Sequence, residues 1–223
     1  MVILITGCSK GIGLELVKRL SQNHHIIAVS RNAIPYSHPH IFQVNGDINL
    51  KSTLQTCQDY LDKNHFPLDI LINNAGRLVN KKFETISEQE LFEIYQTNVF
   101  APFYWIQGLL NYLKKSPQAH IVNISSMGGV TGTQKFPGLS AYSSSKGALS
   151  ILTECLAEEF KNENIKCNAL ALGAVQTEML SQAFPEYKAP LSSSEMAEFI
   201  TWFALNGHKF FNGKILPVAL STP

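Results

Sequence analysis

The chain alternates short apolar runs with longer segments in which apolar residues recur at helical spacing. Runs typical of buried parallel strands lie at 2–5, 26–30, 41–44, 70–72, 121–124, 165–170 and 214–218. Helical periodicity marks 12–20, 50–62, 87–113 and 141–160. Because strands that alternate with helices need crossover connections, the predicted fold class is α/β. We expect one domain over residues 1–223, with a doubly wound parallel sheet of about seven strands and helices on both faces.

The first predicted strand runs directly into the glycine-rich segment Thr6-Gly-Cys-Ser-Lys-Gly-Ile-Gly13, and a predicted helix follows. Glycine lets the backbone approach a pyrophosphate, and a helix N-terminus offers free N–H groups and a positive dipole end. This order therefore indicates a dinucleotide site of the Rossmann type. The spacing differs from the commoner G-x-G-x-x-G, and it is not that of a P-loop. A tight turn with incidental glycines is the alternative.

Tyr142 and Lys146 lie four residues apart in the predicted helix 141–160, so their side chains share one face. A free tyrosine has a pKa of about 10, too high for ready proton exchange at neutral pH. An ammonium one turn away favours the phenolate, which predicts a lowered pKa for Tyr142 and an acid–base role for the pair. A half-buried core aromatic is the alternative for Tyr142.

Four ordered stretches resemble the short-chain dehydrogenase/reductase family, from residue 2 to about residue 218. The glycine-rich segment resembles its T-G-x-x-x-G-x-G cofactor loop. Asn73-Asn-Ala-Gly76 resembles the N-N-A-G motif that braces its central sheet, and Asn98 stands at the position of its fourth catalytic residue. Ile121-Val-Asn-Ile-Ser-Ser126, followed by Tyr142 and Lys146, resembles its catalytic serine, tyrosine and lysine.

This resemblance implies hydride transfer between a nicotinamide and a carbonyl or alcohol carbon. Tyr142 is then the proton donor or acceptor at the substrate oxygen, and Ser126 hydrogen-bonds the same oxygen. Lys146 lowers the Tyr142 pKa and holds the nicotinamide ribose, while Asn98 anchors a water that connects the lysine to solvent. Ser125 competes with Ser126 for one role, and the family pattern favours Ser126.

The resemblance also implies a set of cofactor-binding residues: Gly7, Ser9, Lys10, Gly11, Ile12, Gly13, Arg31, Asp47, Ile48, Asn74, Ala75, Gly76, Tyr142, Lys146, Gly173, Val175 and Thr177. The second predicted strand ends at Arg31, where a site for NAD usually has a carboxylate on the ribose 2′-hydroxyl. Arg31 and Lys10 suit a 2′-phosphate instead, so we predict NADP(H) in preference to NAD(H). Solvated surface positions are the alternative for both side chains.

Three departures from the family pattern bear on substrate and assembly. The stretch between Ser126 and Tyr142 is longer than usual, with an apparent insertion around 133–135. Leu172 replaces the proline of the P-G-x-[VI]-x-T loop, and the C-terminal segment 216–223 lacks the usual D-G-G. We expect 176–191 to form a lid with a partly apolar wall. The resemblance implies a homodimer or a homotetramer.

Composition excludes several classes of protein. At 223 residues and 45% hydrophobic, the chain can bury one full core. Lys plus Arg number 18 and Asp plus Glu 17, which argues against a nucleic-acid binder. No apolar run suggests a membrane span or a signal peptide. The four cysteines, without metal-like spacing, predict reduced thiols in the cytoplasm and no metal site, and His38 and His40 are expected on a surface loop.

The leading hypothesis is therefore an NADP(H)-dependent reductase or dehydrogenase of a small carbonyl or alcohol substrate, with 3-oxoacyl thioesters or small ketones as subtypes. A non-catalytic NADP(H)-binding regulator on the same fold is the alternative. The presence of all four catalytic residue types argues against it, because a sensor needs only the cofactor loop. A nucleotide-sugar epimerase usually has a longer chain with a C-terminal substrate domain.

Overall fold

The computed structural model describes residues 1–220, and alternating strands and helices run through that range. The strands are β1 Val2–Thr6, β2 His25–Ser30, β3 Ile41–Asn45, β4 Ile70–Asn73, β5 Ala119–Ser126, β6 Ile165–Leu172, β7 Val175–Gln176, β8 Leu191–Ser192 and β9 Ile215–Val218. The helices are α1 Gly11–Leu20, α2 Lys51–Lys63, α3 Glu88–Tyr95, α4 Ala101–Lys114, α5 Ser140–Glu159, α6 Glu178–Ala183 and α7 Ser193–Asn206. The last three residues of the predicted domain and of the atypical C-terminal segment lie outside the described range.

Seven of these strands form one parallel sheet in the order β3-β2-β1-β4-β5-β6-β9. The strand order reverses at β1, which pairs with β2 on one side and β4 on the other. In open α/β sheets ligands bind outside the carboxyl ends of the strands at such a switch point. The predicted Rossmann fold is thus confirmed, and its topology places the loops after β1 and β4 side by side.

Two hydrophobic cores cover the two faces of the sheet. Residues of α1 and α7 pack on one face, and residues of α2, α4 and α5 pack on the other. The central strands are buried on both faces, as in the fully buried pattern Val2–Thr6, which explains their uninterrupted apolar runs. The β5 and β6 strands extend further than predicted, to Ser126 and Leu172, so their ends reach the ligand-binding edge.

One sequence-based element prediction was wrong, and one helix was missed. The predicted helix 87–113 is broken by a π-helical turn at Gln96–Phe100, between α3 and α4. The α7 helix was not predicted, although Met196, Ile200 and Phe203 form its buried stripe and Ser192 begins it with a capping box. This pattern was present in the sequence, next to the segment assigned to the lid.

None of the described helices combines the length and apolar character needed to cross a lipid bilayer.

Candidate active site

A cleft of about 420 Å³ opens at the carboxyl ends of the central strands. Every predicted cofactor-binding residue lines it, as does Ser126. Asn98 does not line it, because this side chain is fully buried behind the wall. The strand ends therefore bring together residues that are as far apart in the chain as Gly7 and Thr177.

The glycines after β1 permit a close approach of two loops. Gly7 has φ +76°, and its N–H donates to the Val29 carbonyl at 2.8 Å. A Cβ on Gly7 would lie 2.9 Å from Ala75 Cα, and a Cβ on Gly13 would collide with the Gly7 carbonyl oxygen. Larger side chains would thus fill the cradle that a pyrophosphate needs. Cys8 is buried, with its thiol donating to a backbone carbonyl, which fits the predicted packing role.

The N-N-A-G segment braces this glycine loop. The Thr6 hydroxyl accepts from the backbone N–H groups of Asn74 and Ala75, each at 3.1 Å. The Asn74 amide donates to the carbonyls of Thr6 and Gly7 at 2.9 and 3.1 Å. Because these buried groups are paired with each other, the two loops at the switch point form a preorganised floor for a ligand.

Ser125 and Ser126, the two candidates for one role, have different surroundings. Ser125 is 3% exposed, and its hydroxyl bonds the Lys146 carbonyl and the Ser150 hydroxyl, each at 3.0 Å. These contacts hold β5 against α5, and they direct the Ser125 hydroxyl towards α5. Ser126 is half-buried and lines the cleft together with Tyr142, and its hydroxyl accepts from the Gly128 N–H at 3.2 Å. The geometry favours Ser126 for the role at the substrate oxygen.

Tyr142 and Lys146 lie one turn apart on α5, as their spacing predicts. The Lys146 ammonium is 5.9 Å from the centre of the Tyr142 ring and donates to the Ile124 carbonyl at 2.7 Å. A Cβ on Gly76 would lie 3.5 Å from this ammonium nitrogen. Lys146 is therefore held between the end of β5 and the N-N-A-G loop, facing the open cleft.

The predicted direction of the Tyr142 pKa is wrong for this structure. Burial raises the pKa of Tyr142, and the hydrogen bond with Ser126 opposes that shift only in part. Burial also lowers the pKa of Lys146 to about 8. The expected stabilisation by the lysine is not among the causes of the Tyr142 shift, and desolvation penalises the charged forms of both residues.

Asn98 lies in the π-helical turn, and its side-chain amide makes three hydrogen bonds. The amide nitrogen donates to the Arg77 carbonyl and the Ser145 hydroxyl, each at 2.9 Å, and the amide oxygen accepts from the Arg77 N–H at 2.8 Å. In an α-helix, the Asn98 carbonyl would accept a hydrogen bond from the N–H four residues later. That residue is Pro102, which has no N–H. The Asn98 main-chain carbonyl therefore receives no hydrogen bond from residue 102.

The far end of the cleft carries the residues predicted to choose the nicotinamide form. Arg31 and Lys10 are exposed and line this end together with Asp47. The Asp47 carboxylate accepts from the Asn49 N–H at 2.9 Å, so it also fixes the turn after β3. Sequence reasoning missed Asn32, which follows Arg31 and also lines the cleft.

The segment predicted as a lid is tied at its base. Val175 and Gln176 of β7 pair with Leu191 and Ser192 of β8. The chain between the two strands therefore forms a loop at the cleft whose ends are held together. Thr177 lines the cleft and caps α6 by accepting from a backbone N–H.

The predicted lid contributes Glu178, Met179, Leu180 and Phe184 to the cleft lining. The lining residues missed by sequence analysis are mostly neighbours of predicted ones: Ser30, Asn32, Gly46, Asn49, Arg77, Leu78, Thr97, Met127, Gly128, Phe136 and Leu139. Their positions directly after strand ends were the available signal. Ser145, to which no functional role was assigned from the sequence, is the buried hydrogen-bond partner of the Asn98 amide.

A model of the short chain dehydrogenase family matches residues 1–188. The chain belongs to the short-chain dehydrogenase family. The predicted resemblance is thereby confirmed. This short-chain dehydrogenase is a nucleotide-binding oxidoreductase of the type that acts on alcohols and ketones, and its substrates are small molecules.

One relative is the cyclopentanol dehydrogenase of Comamonas testosteroni, 28% identical over 193 residues that make up 81% of this chain and 75% of the relative. A mutant 4-hydroxyisoleucine dehydrogenase, solved with NADH and succinate, superposes with a TM-score of 0.87 at 25% identity, covering 98% of this chain and 96% of that one. ElxO with bound NADP superposes with a TM-score of 0.84 at 26% identity, covering 97% and 96%.

Proposed function

We propose that this dehydrogenase transfers a hydride between NADP(H) and the carbonyl or alcohol carbon of a small substrate. The observation that carries this proposal is the meeting of Ser126, Tyr142 and Lys146 in the cleft floored by the glycine loop. The cyclopentanol dehydrogenase relative supports a small alcohol or ketone as the substrate.

The proposed chemistry divides between three side chains. Tyr142 gives a proton to the carbonyl oxygen in reduction and takes it back in oxidation, and Ser126 donates a hydrogen bond to the same oxygen. Lys146 holds the nicotinamide ribose, and its low pKa lets it pass a proton near neutral pH. The bound nicotinamide supplies or accepts the hydride. The main-chain carbonyl of Asn98 is the proposed anchor for a water that links Lys146 to solvent.

The catalytic test is NADPH oxidation with a panel of small ketones and 3-oxoacyl thioesters. Tyr142→Phe should lower kcat by about 10²–10⁴-fold because the positioned proton donor is lost. NADPH affinity should remain close to that of the wild type. Tyr104→Phe, on an exposed side chain of α4, is the matched control. Tight NADPH binding without turnover of any substrate would instead favour a regulator.

The preference for NADP(H) rests on Arg31 and Lys10, which lie at the far end of the cleft. Among similar structures, ElxO binds NADP and the 4-hydroxyisoleucine dehydrogenase binds NADH, so both forms occur on this fold. Arg31→Ala should weaken NADPH binding about tenfold and leave NADH binding unchanged, measured by fluorescence titration. Lys63→Ala, on an exposed residue of α2, is the control. Equal NADPH affinity in wild type and Arg31→Ala would remove the argument.

We also propose that the segment 176–191 acts as the substrate lid and that the chain assembles as a homodimer or homotetramer. Exposed apolar side chains on α3, the π-turn, α4 and α5 support a self-association surface, including Phe92, Phe100, Phe103 and Ile151. Ile151→Arg should shift the mass measured by light scattering towards the monomer. The four free cysteines support a cytoplasmic location.

A further inference from the structure

The cleft next to Ser126 and Tyr142 has an apolar wall. Its members come from three segments of the chain and line the cleft together: Leu78, Met127, Phe136, Leu139, Met179, Leu180 and Phe184. Met127 directly follows Ser126, and Phe136 and Leu139 directly precede α5, which carries Tyr142. The apolar wall therefore surrounds the reacting groups, away from the end that carries Arg31 and Asp47.

Hydrogen bonds tie the three segments of the apolar wall together. The Lys81 N–H donates to the Gly138 carbonyl at 2.9 Å, which joins the loop after β4 to the loop before α5. The Asn80 amide donates to the Ala183 carbonyl at 2.9 Å, which joins the loop after β4 to the end of α6. The apolar wall is thus a closed structure rather than three independent loops.

The loop 130–138, which contains the apparent insertion around 133–135, is fixed by its own side chains. The Thr133 hydroxyl donates to the Met127 carbonyl at 2.6 Å. The Lys135 ammonium donates to the Val130 carbonyl at 2.6 Å and to the Thr133 hydroxyl at 2.8 Å. Because its polar groups are satisfied within the loop, the insertion can hold Phe136 against the cleft in one position.

Most charged side chains of the cleft lie away from the apolar wall or are paired within the protein. Among the described residues, the charged side chains that line the cleft are Lys10, Arg31, Asp47, Arg77, Lys146 and Glu178. The first three lie at the far end of the cleft. Arg77 pairs with Glu93 at 2.5 Å through Nη2, while its buried Nε has no partner among the described residues, and Lys146 donates to a backbone carbonyl. A Cβ on Gly11 would lie 3.6 Å from the Glu178 carboxylate, which places that charge over the glycine loop.

We propose that the substrate is an uncharged, apolar ketone or its secondary alcohol, and that the 130–138 loop selects it through Phe136. This inference rests on the proposed function. In reduction, the carbonyl carbon receives the hydride of NADPH, the carbonyl oxygen receives the proton of Tyr142, and NADP⁺ and the alcohol leave. A carboxylate on the substrate would be desolvated against the apolar wall without a partner, which is strongly unfavourable.

The test compares kcat/KM for two substrates of the same length, 2-heptanone and 6-oxoheptanoate, with NADPH. The wild type should prefer 2-heptanone by about 100-fold or more, because only the second substrate carries a carboxylate into the apolar wall. Phe136→Lys should lower kcat/KM for 2-heptanone about tenfold and raise it for 6-oxoheptanoate about tenfold. Gln134→Lys adds the same charge on an exposed residue of the same loop and should change neither.

Each outcome is decisive. Equal or better use of 6-oxoheptanoate by the wild type would overturn the inference while leaving the proposed function intact. Bound NADPH with no turnover of either ketone, or of the thioester panel, would overturn both. NADPH titration shows whether Phe136→Lys retains its cofactor site, and Phe136→Ala provides a second variant, with an expected tenfold loss for 2-heptanone alone.

Discussion

The two ends of the central sheet bury ionisable side chains in opposite ways. At the amino end, His120 is 0% exposed, donates from Nδ1 to the Ala204 carbonyl at 2.9 Å and accepts at Nε2 from the Asn168 amide at 3.1 Å. At the carboxyl end, Lys146 is 3% exposed and donates to the Ile124 carbonyl alone. The ion pairs among the described residues do not include it.

Desolvation acts on both residues in the same direction, but with different results at neutral pH. Burial lowers the pKa of His120 to about 4, so the imidazole is neutral and both of its nitrogens are satisfied. Burial lowers the pKa of Lys146 to about 8, so the amine is still mostly protonated at pH 7. The amino end avoids the cost of a buried charge, whereas the cleft retains that cost, as functional sites commonly do.

The substitution with the largest expected effect is Lys146→Met, which removes the buried charge and leaves an apolar side chain of similar length. We expect kcat to fall by about 10²–10⁴-fold, because the proposed proton relay and the proposed ribose contact would be lost. The cofactor-free protein should become more stable by about 1–2 kcal/mol at pH 7, since the desolvated ammonium is gone. Steady-state kinetics and urea unfolding measure the two effects.

The pH dependence of the stability gain in Lys146→Met shows whether the desolvated ammonium is its cause. Lys146 has a folded pKa of about 8, below its ordinary value of 10.5, so the unfolded chain binds more protons between these values. Wild-type stability should therefore rise through this window, and the advantage of Lys146→Met should shrink by pH 10. Lys63→Met, on an exposed residue, should leave stability near that of the wild type at both pH values. A destabilised Lys146→Met protein would contradict the contrast.

A loss of stability in acid, without a comparable effect on kcat, is expected from the amino end. The folded pKa of His120, about 4, lies below its ordinary 6.5, so the unfolded chain takes up a proton first as the pH falls. Stability should decrease by about 3 kcal/mol between pH 6.5 and pH 4 from this group. In His120→Gln, urea unfolding at several pH values should show a correspondingly flatter slope. Parallel profiles for wild type and variant would show that His120 does not control this loss.

Sequence reasoning recovered the parts of the molecule that depend on local pattern. Strand runs and the glycine segment follow from residue type and spacing, so the sheet, the switch point and the cleft lining were predictable. The direction of the Tyr142 pKa was not, because it depends on how deeply the folded chain buries the phenol. The break of the helix 87–113 depends on contacts of Asn98 with residues 21 and 47 positions away, although Pro102 gave a local hint.

The smallest predicted effect concerns Ser145, a positioning residue that the sequence did not reveal. Its hydroxyl donates to the Tyr142 carbonyl at 2.7 Å and accepts from the Asn98 amide at 2.9 Å, so it connects the catalytic helix to the π-turn. Ser145→Ala should reduce stability by about 1 kcal/mol and kcat by about fivefold, with KM unchanged. Ser144→Ala removes a hydroxyl that bonds only within α5 and should alter neither the rate nor the pH–rate profile. If both variants kept the wild-type pH–rate profile and kcat, the contact between Ser145 and Asn98 would serve packing alone.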